Sequence, residues 1–86
     1  MDINSLNLII EKKISQNISC KKIIIEDKTY LHKNHKSHEK NKFHIKLIIK
    51  SDELLKMNRI ESTKKIYKIL DHELKHYIHS IEVLLN

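Results

Sequence analysis

Apolar and polar residues alternate along two segments of the chain, and this period predicts half-buried β-strands over residues 43–50 and 78–85. The apolar face of the first segment carries Phe43, Ile45, Leu47 and Ile49. That of the second carries His79, Ile81, Val83 and Leu85, opposite Ser80 and Glu82. A run of β-branched residues within residues 21–26 predicts one more strand, so we expect three in all.

Apolar residues at helical spacing predict an N-terminal helix over residues 3–15. Its apolar stripe consists of Ile3, Leu6, Ile10 and Ile14. Asp2 or Asn4 provides the N-cap, because either side chain can accept a hydrogen bond from a backbone N–H of the first turn. Residues 51–52 (Ser-Asp) offer a similar cap to a short helical turn over residues 53–56.

A long helix is predicted over residues 59–76, close to the C-terminal strand. Its apolar stripe consists of Ile60, Ile66, Tyr67, Leu70 and Leu74. Two pairs of opposite charge, Glu61–Lys65 and Asp71–Lys75, stand four residues apart and are expected to form ion pairs along the helix surface.

The order of elements is therefore α-β-β-α-β, with the short helical turn before the long helix. The first two strands have no helix between them and are expected to pair antiparallel. The second strand reaches the third through a helix, so this pair is expected to be parallel. The pattern predicts an α+β fold in which helices cover one face of a three-stranded mixed sheet, as a single domain over residues 1–86.

Composition restricts the compartment and the chemistry. Cys20 is the only cysteine, so neither an intrachain disulfide nor a cysteine-only metal site can form, which suits a reducing compartment. No apolar run exceeds three residues, so we expect no membrane span. The first residues lack the basic stretch and apolar run of a signal peptide, and we expect a cytoplasmic protein. The formal net charge of +6 is compatible with a nucleic-acid partner. It is weak evidence for one, because the chain is rich in residues with AT-rich codons, lysine among them, and part of the charge reflects this bias.

A polar stretch, residues 28–42, separates the first two strands. It holds five lysines, a single acidic residue and three histidines, which are His32, His35 and His38. The stretch is long for a hairpin connection, and connections of this length in small domains are often functional.

The chain resembles the BolA family along nearly its whole length, and three segments carry the resemblance. The segment 27–35 is similar to the family's acidic residue, hydroxyl residue and His-x-Gly-His loop, with Asn34 in place of the glycine. The segment 44–52 is similar to the family's His-Phe-Lys strand that ends in Ser-Asp. Within 66–81 the helix ends in Glu-Leu and the strand opens with Ile-His-Ser-Ile, similar to the family's Val-His-Ala-Leu. One departure is residues 62–64 (Ser-Thr-Lys), where the family usually carries Arg-His-Arg.

The resemblance implies a class II KH-like version of the α+β fold and an adaptor rather than an enzyme. BolA proteins form heterodimers with monothiol glutaredoxins and share a [2Fe-2S] cluster with them, to which the glutaredoxin and a bound glutathione supply thiolates. By position in the family motifs, His79 is the implied metal ligand of this chain. A second ligand is implied at His32, with His35 as the next candidate, whereas His38 is interpreted as a solvated residue. The isolated chain is expected to be a monomer without a cluster.

Two other functions fit parts of the sequence. A basic chain with a KH-like fold could bind DNA as a transcriptional regulator, but KH domains clamp nucleic acid with a Gly-x-x-Gly loop and this chain has no glycine. Residues 72–76 read His-Glu-Leu-Lys-His, which matches the H-E-x-x-H motif of zinc peptidases. We reject a peptidase because the chain is short and rich in histidine. Binding of Zn or Ni by this end of the helix is the better interpretation of the motif.

Overall fold

Four helices and three strands form in the part of the chain that the structure, a computed structural model, describes: residues 1–29 and 42–86. In chain order they are α1 (Ile3–Asn17), β1 (Lys22–Asp27), β2 (Phe43–Lys50), α2 (Asp52–Leu55), α3 (Arg59–Ile69), α4 (Asp71–His76) and β3 (Ile78–Leu85). The bounds of β2 and β3 are those that the alternation predicts. The order of helices and strands also agrees with the prediction, except that the long helix is divided in two.

β2 lies in the centre of the sheet and pairs with both other strands. β1 runs antiparallel to it, with Ile24 opposite Ile48, and β3 runs parallel to it, with Leu47 opposite Val83. The parallel pair follows from the chain path, because α2, α3 and α4 lie between β2 and β3 and return the chain to the end at which β2 starts. The predicted three-stranded mixed sheet is confirmed, while the class II KH-like assignment stays a prediction.

Apolar residues from the helices and from one face of the sheet form a single core. The buried members are Leu6, Ile10, Ile14, Ile18, Ile45, Leu47, Ile49, Leu54, Ile66, Leu70 and Ile78. The other face of the sheet leaves Ile24 and Leu84 exposed on the edge strands. None of the helices in the described ranges is long and apolar enough to cross a membrane.

The N-cap of α1 is Asp2, which confirms one of the two predicted caps, Asp2 and Asn4. Asp2 Oδ1 accepts a hydrogen bond from the Ser5 N–H at 2.7 Å, and this bond lowers the pKa of the carboxyl. The helix continues two residues beyond the predicted end, to Asn17. The Asn17 side chain donates to the Lys13 carbonyl at 2.7 Å, so the side chain itself satisfies a carbonyl of the last turn.

The predicted helix over residues 59–76 is interrupted at Leu70, where φ is −98° and ψ is 17°. Hydrogen bonds of helical type continue through the interruption, from the Leu70 N–H to the Ile66 carbonyl at 3.0 Å and from the Leu74 N–H to the Leu70 carbonyl at 2.8 Å. The buried residues up to this point, Ser62, Ile66 and Leu70, are four residues apart. The next buried residue, Glu73, comes only three residues after Leu70. This change of spacing coincides with the interruption at Leu70.

Two residues of the predicted stripe lie outside the core. Ile60 is 69% exposed and Tyr67 is 43% exposed. Ile60 precedes Ile66 by six residues and lies about 120° away around the helix, and Tyr67 lies about 100° away from Ile66. Ser62 instead takes the buried position four residues before Ile66, where its hydroxyl donates to the Arg59 carbonyl at 3.0 Å.

The predicted ion pair between Glu61 and Lys65 is wrong. Lys65 Nζ donates to a carboxylate oxygen of Glu53 in α2, at 2.8 Å. Glu61 accepts from the Asn58 side chain at 3.0 Å, and its N–H donates to Asn58 Oδ1 at 2.8 Å. This reciprocal arrangement caps α3 and leaves Lys65 to join α3 to α2.

Candidate functional site

β3 opens with a bulge at His79. Ile78 pairs with Phe43 and Ser80 pairs with His44, so His79 is an extra residue between two consecutive pairs. The prediction that His79 shares the apolar face of β3 is therefore wrong, because the bulge interrupts the alternation. Its ring lies against the ring of His44, with 4.8 Å between ring centres, and the residue is exposed.

His44 is only 5% exposed, although the alternation places it on the polar face of β2. Its Nδ1 lies 2.6 Å from Ser80 Oγ, which faces it across the sheet. Its backbone N–H donates to Thr29 Oγ1 at 3.1 Å, and its carbonyl accepts from the Lys28 N–H at 2.7 Å. Thr29 also donates to Asp27 through its backbone and its hydroxyl. These bonds tie the end of β1 to β2 beside the bulge.

Sequence reasoning missed the role of His44. The signal available was its place in the resemblance, since it stands first in the segment similar to the family's His-Phe-Lys strand. The same holds for Asp27 and Thr29, which occupy the acidic and hydroxyl positions of the first segment. The structure brings all three to the end of the sheet at which His79 lies.

The predicted second ligands, His32 and His35, lie outside the described residues, as does His38. The described residues on either side of this segment are both held at the bulged end of the sheet. Thr29 is hydrogen-bonded to the backbone of β2, and the Phe43 N–H donates to the carbonyl that precedes β3 at 2.9 Å. The described residues that flank the segment thus lie beside the candidate site.

A shallow depression of about 230 Å³ lies next to the bulge on the same side of the sheet. Its lining includes Lys28, His44, Lys46, Ser80 and Glu82, so both signs of charge are present. A depression this small and polar is suited to contact with a protein surface more than to enclosure of an apolar ligand.

The H-E-x-x-H motif at residues 72–76 does not have the geometry of a peptidase site. Both carboxylate oxygens of Glu73 accept from Lys13 Nζ at 2.8 Å, and the Glu73 side chain is 3% exposed. His72 and His76 are exposed, with ring centres 4.5 Å apart. In such peptidases the glutamate acts as the general base beside the metal. Here that carboxylate is buried and paired to α1, which agrees with the rejection of a peptidase.

Cys20 is half-buried and packs against the core. Burial raises the pKa of its thiol, and the nearby Glu53 carboxylate adds to this effect. Cys20 is therefore interpreted as a small packed residue. Among the residues that the structure describes, no group of three or more His, Cys, Asp or Glu side chains is arranged to hold a metal ion. A metal bound at His79 would need ligands beyond this described set.

Comparison with known solved structures confirms the fold. The BolA domain of SufE1 from Arabidopsis thaliana superposes with a TM-score of 0.77 at 22% identity, over 100% of this chain and 93% of that chain. BolA1 from Arabidopsis thaliana gives a TM-score of 0.73 at 21% identity, over 90% and 85% of the two chains. BolA1 from Mus musculus gives 0.71 at 16% identity, over 90% and 60%.

Comparison of sequences identifies the family. The chain is 30% identical over 81 residues to a Haemophilus influenzae protein named DNA-binding transcriptional regulator BolA, a match that covers 94% of this chain and 76% of that protein. The family model described as BolA-like protein matches residues 14–85, a range that includes the bulge, His44 and the segment between β1 and β2. The chain therefore belongs to the BolA-like protein family.

Proposed function

We propose that this chain is a non-catalytic adaptor that binds a monothiol glutaredoxin and supplies the His79 imidazole as one ligand of a [2Fe-2S] cluster shared by the two proteins. The observation that carries the proposal is the exposed ring of His79 at the bulge that opens β3. The bulge turns this imidazole away from the apolar face of the strand. A histidine in this position can reach a metal centre that another protein holds.

His44 and Ser80 hold the His79 side chain in position. The ring of His44 lies 4.8 Å from that of His79, and the Ser80 hydroxyl 2.6 Å from Nδ1 holds the His44 ring in place. Contact with a buried, hydrogen-bonded ring restricts the rotamers of His79. A ligand that is already ordered loses less conformational entropy when it binds. We therefore assign His44 and Ser80 as positioning residues.

The donor set of the described residues fits a shared cluster. A [2Fe-2S] cluster needs four ligands. The described residues offer one exposed imidazole at the bulge and no group of three metal-binding side chains. The proposal therefore assigns one further ligand to the glutaredoxin thiolate, one to the glutathione thiolate and the fourth to a second histidine of this chain. When the cluster is bound, imidazole in place of thiolate makes it less negative and raises its potential.

The second ligand is proposed to be His32, with His35 as the next candidate, because of their places in the segment similar to the family's His-x-Gly-His loop. Both histidines lie outside the described residues.

The experiment is a titration of the apo protein into a monothiol glutaredoxin that carries its cluster and glutathione, followed by visible circular dichroism. We expect a shifted spectrum that saturates at one chain per glutaredoxin. Pulsed EPR of the reduced complex should then detect coupling to an imidazole nitrogen. His79→Ala should remove the coupling of one imidazole nitrogen and leave only that of the second histidine, whereas His79→Cys should retain a cluster with a more thiolate-like spectrum and a lower potential.

Lys64→Ala serves as the control, because Lys64 is exposed on α3 and lies in neither the bulge nor the depression. Thermal unfolding of each variant shows whether it is folded. The proposal fails if the wild-type chain causes no spectral change, or if the nitrogen coupling of the complex is the same with His79→Ala as without it.

DNA binding is the second candidate, and two observations favour it. The Haemophilus influenzae relative is named a DNA-binding transcriptional regulator, and this chain has a formal net charge of +6. Fluorescence anisotropy with a set of duplex sequences at several salt concentrations tests the idea. A regulator should prefer some sequences by at least about a thousandfold, whereas weak binding to all sequences that disappears with salt reports only the positive charge.

A further inference from the structure

α4 carries two exposed imidazoles that the proposed function does not use. His72 and His76 stand four residues apart and lie on the same side of the helix, with 4.5 Å between their ring centres. Glu73, between them in the sequence, faces the interior and is held by Lys13. The two rings therefore form a pair that is open to solvent and separate from the core.

The separation of the rings matches two ligands of one metal ion. With a metal–nitrogen distance of about 2.1 Å and a ring centre about 1.1 Å behind that nitrogen, each ring centre lies about 3.2 Å from the ion. Ring centres 4.5 Å apart then subtend an angle of about 90° at the metal. That is the angle between neighbouring ligands in square-planar and octahedral complexes. A tetrahedral ion would need the ring centres to be about 0.7 Å further apart.

Neighbouring side chains keep the pair in place. Tyr77, half-buried against the core, lies 5.9 Å from the His72 ring and 6.1 Å from the His76 ring between centres. The predicted ion pair between Asp71 and Lys75 is confirmed, with 3.0 Å between the charged atoms, and it reduces the repulsion between the lysine and a bound cation. The two imidazoles thus lie near the Tyr77 ring and near a lysine, Lys75, whose charge Asp71 offsets.

We propose that His72 and His76 chelate one divalent transition-metal ion, with water in the remaining positions. Imidazole nitrogen suits Cu²⁺, Ni²⁺ and Zn²⁺, and the angle of about 90° favours Cu²⁺ and Ni²⁺ over tetrahedral Zn²⁺. Two imidazoles on one helix act as a chelate, which raises affinity on the order of a hundredfold over a single imidazole. The site shares no residue with the bulge, so it does not depend on the proposed function.

The test uses NiCl₂ as the probe, with the whole chain in a buffer that does not bind metals. NMR spectra with a small amount of Ni²⁺ identify the site, because the paramagnetic ion broadens the nearest signals. We expect the signals of His72, His76 and Tyr77 to broaden first. Calorimetry should show a loss of affinity of about tenfold or more for His72→Ala and for His76→Ala, since each change removes the chelate.

Three further variants make the result decisive. Lys68→Ala, an exposed residue on α3, should leave the affinity unchanged. A variant with Ala in place of the three histidines of residues 28–42 should keep the site and remove any background binding by that segment. Unfolding temperatures in EDTA show whether each variant is folded. The inference is overturned if neither α4 variant weakens Ni²⁺ binding, or if the loss and the first broadening occur at His79.

Discussion

Removal of the Lys13 ammonium should destabilise the fold, because it leaves the buried Glu73 carboxylate without its partner. Lys13 of α1 donates to both carboxylate oxygens of Glu73 at 2.8 Å, and the Glu73 side chain is 3% exposed. The salt bridge joins the N-terminal helix to the helix that leads into β3. In Lys13→Ala the carboxylate must stay in the interior without its partner or pull α4 outward to reach water.

The structure sets the size of the effect. Loss of one partner of a buried salt bridge costs about 3–5 kcal/mol. The Lys13 side chain is 37% exposed, so water reaches its place and we expect the lower end, about 3 kcal/mol. A domain of this size loses about 4–8 °C in Tm per kcal/mol, which gives a fall of about 12–24 °C.

Urea denaturation followed by far-UV circular dichroism measures the free energy of unfolding. Lys12→Ala is the matched control, because Lys12 is the neighbouring lysine of the same helix and is exposed; it should change stability by less than about 0.5 kcal/mol. The double variant Lys13→Met/Glu73→Leu should recover most of the loss, since an apolar pair in place of a buried salt bridge is often neutral or stabilising.

A cost below about 1 kcal/mol for Lys13→Ala would refute the reasoning. It would mean that the Glu73 carboxylate finds water or another partner without loss. If Lys13→Ala is too unstable to measure, Lys13→Gln, which keeps a hydrogen-bond donor in the same place, should give an intermediate value. Full stability of Lys13→Gln together with complete unfolding of Lys13→Ala would show that hydrogen bonding, and not charge, is what Glu73 requires.

Two further predictions concern the start of α2. Ser51→Ala should lower the free energy of unfolding, measured by urea denaturation, by about 1–2 kcal/mol. The reason is that the buried Ser51 hydroxyl donates to the Ser19 carbonyl at 2.7 Å and accepts from the Leu54 N–H at 3.3 Å. Ser51→Thr should recover part of the loss, and equal stability of Ser51→Ala and the wild type would contradict the role of the cap. The Lys65 ammonium, and after it the Ser19 N–H, hold the pKa of Glu53 below its ordinary value of 4.5. Because the pKa is lowered in the folded state, this carboxylate contributes stability above pH 4.5 that is lost as the pH falls through its folded pKa. Glu53→Gln should therefore show a smaller loss of stability on acidification than wild type, and identical pH profiles of the two proteins would rule this contribution out.

The parts of the fold that local periodicity controls could be predicted from the sequence. β2 and β3 have the predicted bounds, because alternation of period two over eight residues has no helical interpretation. The caps at Asp2 and Ser51 were also predictable, since each is a short polar side chain directly before an apolar helical pattern.

The parts that tertiary contacts control could not be predicted. Lys65 stands four residues from Glu61 but forms its ion pair with Glu53 of α2, whose carboxylate lies 2.8 Å from the Lys65 ammonium. Ser62 has a polar side chain but is completely buried, because a local hydrogen bond satisfies its hydroxyl. Hydropathy and spacing along one helix contain no information about a partner on another element.

The exposure of His79 follows from a spacing that alternation alone conceals. Ile78 and Ile81 stand three residues apart, so in a regular strand they would point to opposite faces. Both pack in the core, and only an extra residue between them makes this possible. The bulge thus satisfies the core at both residues and leaves His79 and Ser80 together on the side of His44. An odd spacing between two apolar residues at the start of a strand is therefore the sequence signal for this site, and the same packing that requires the bulge leaves the imidazole exposed.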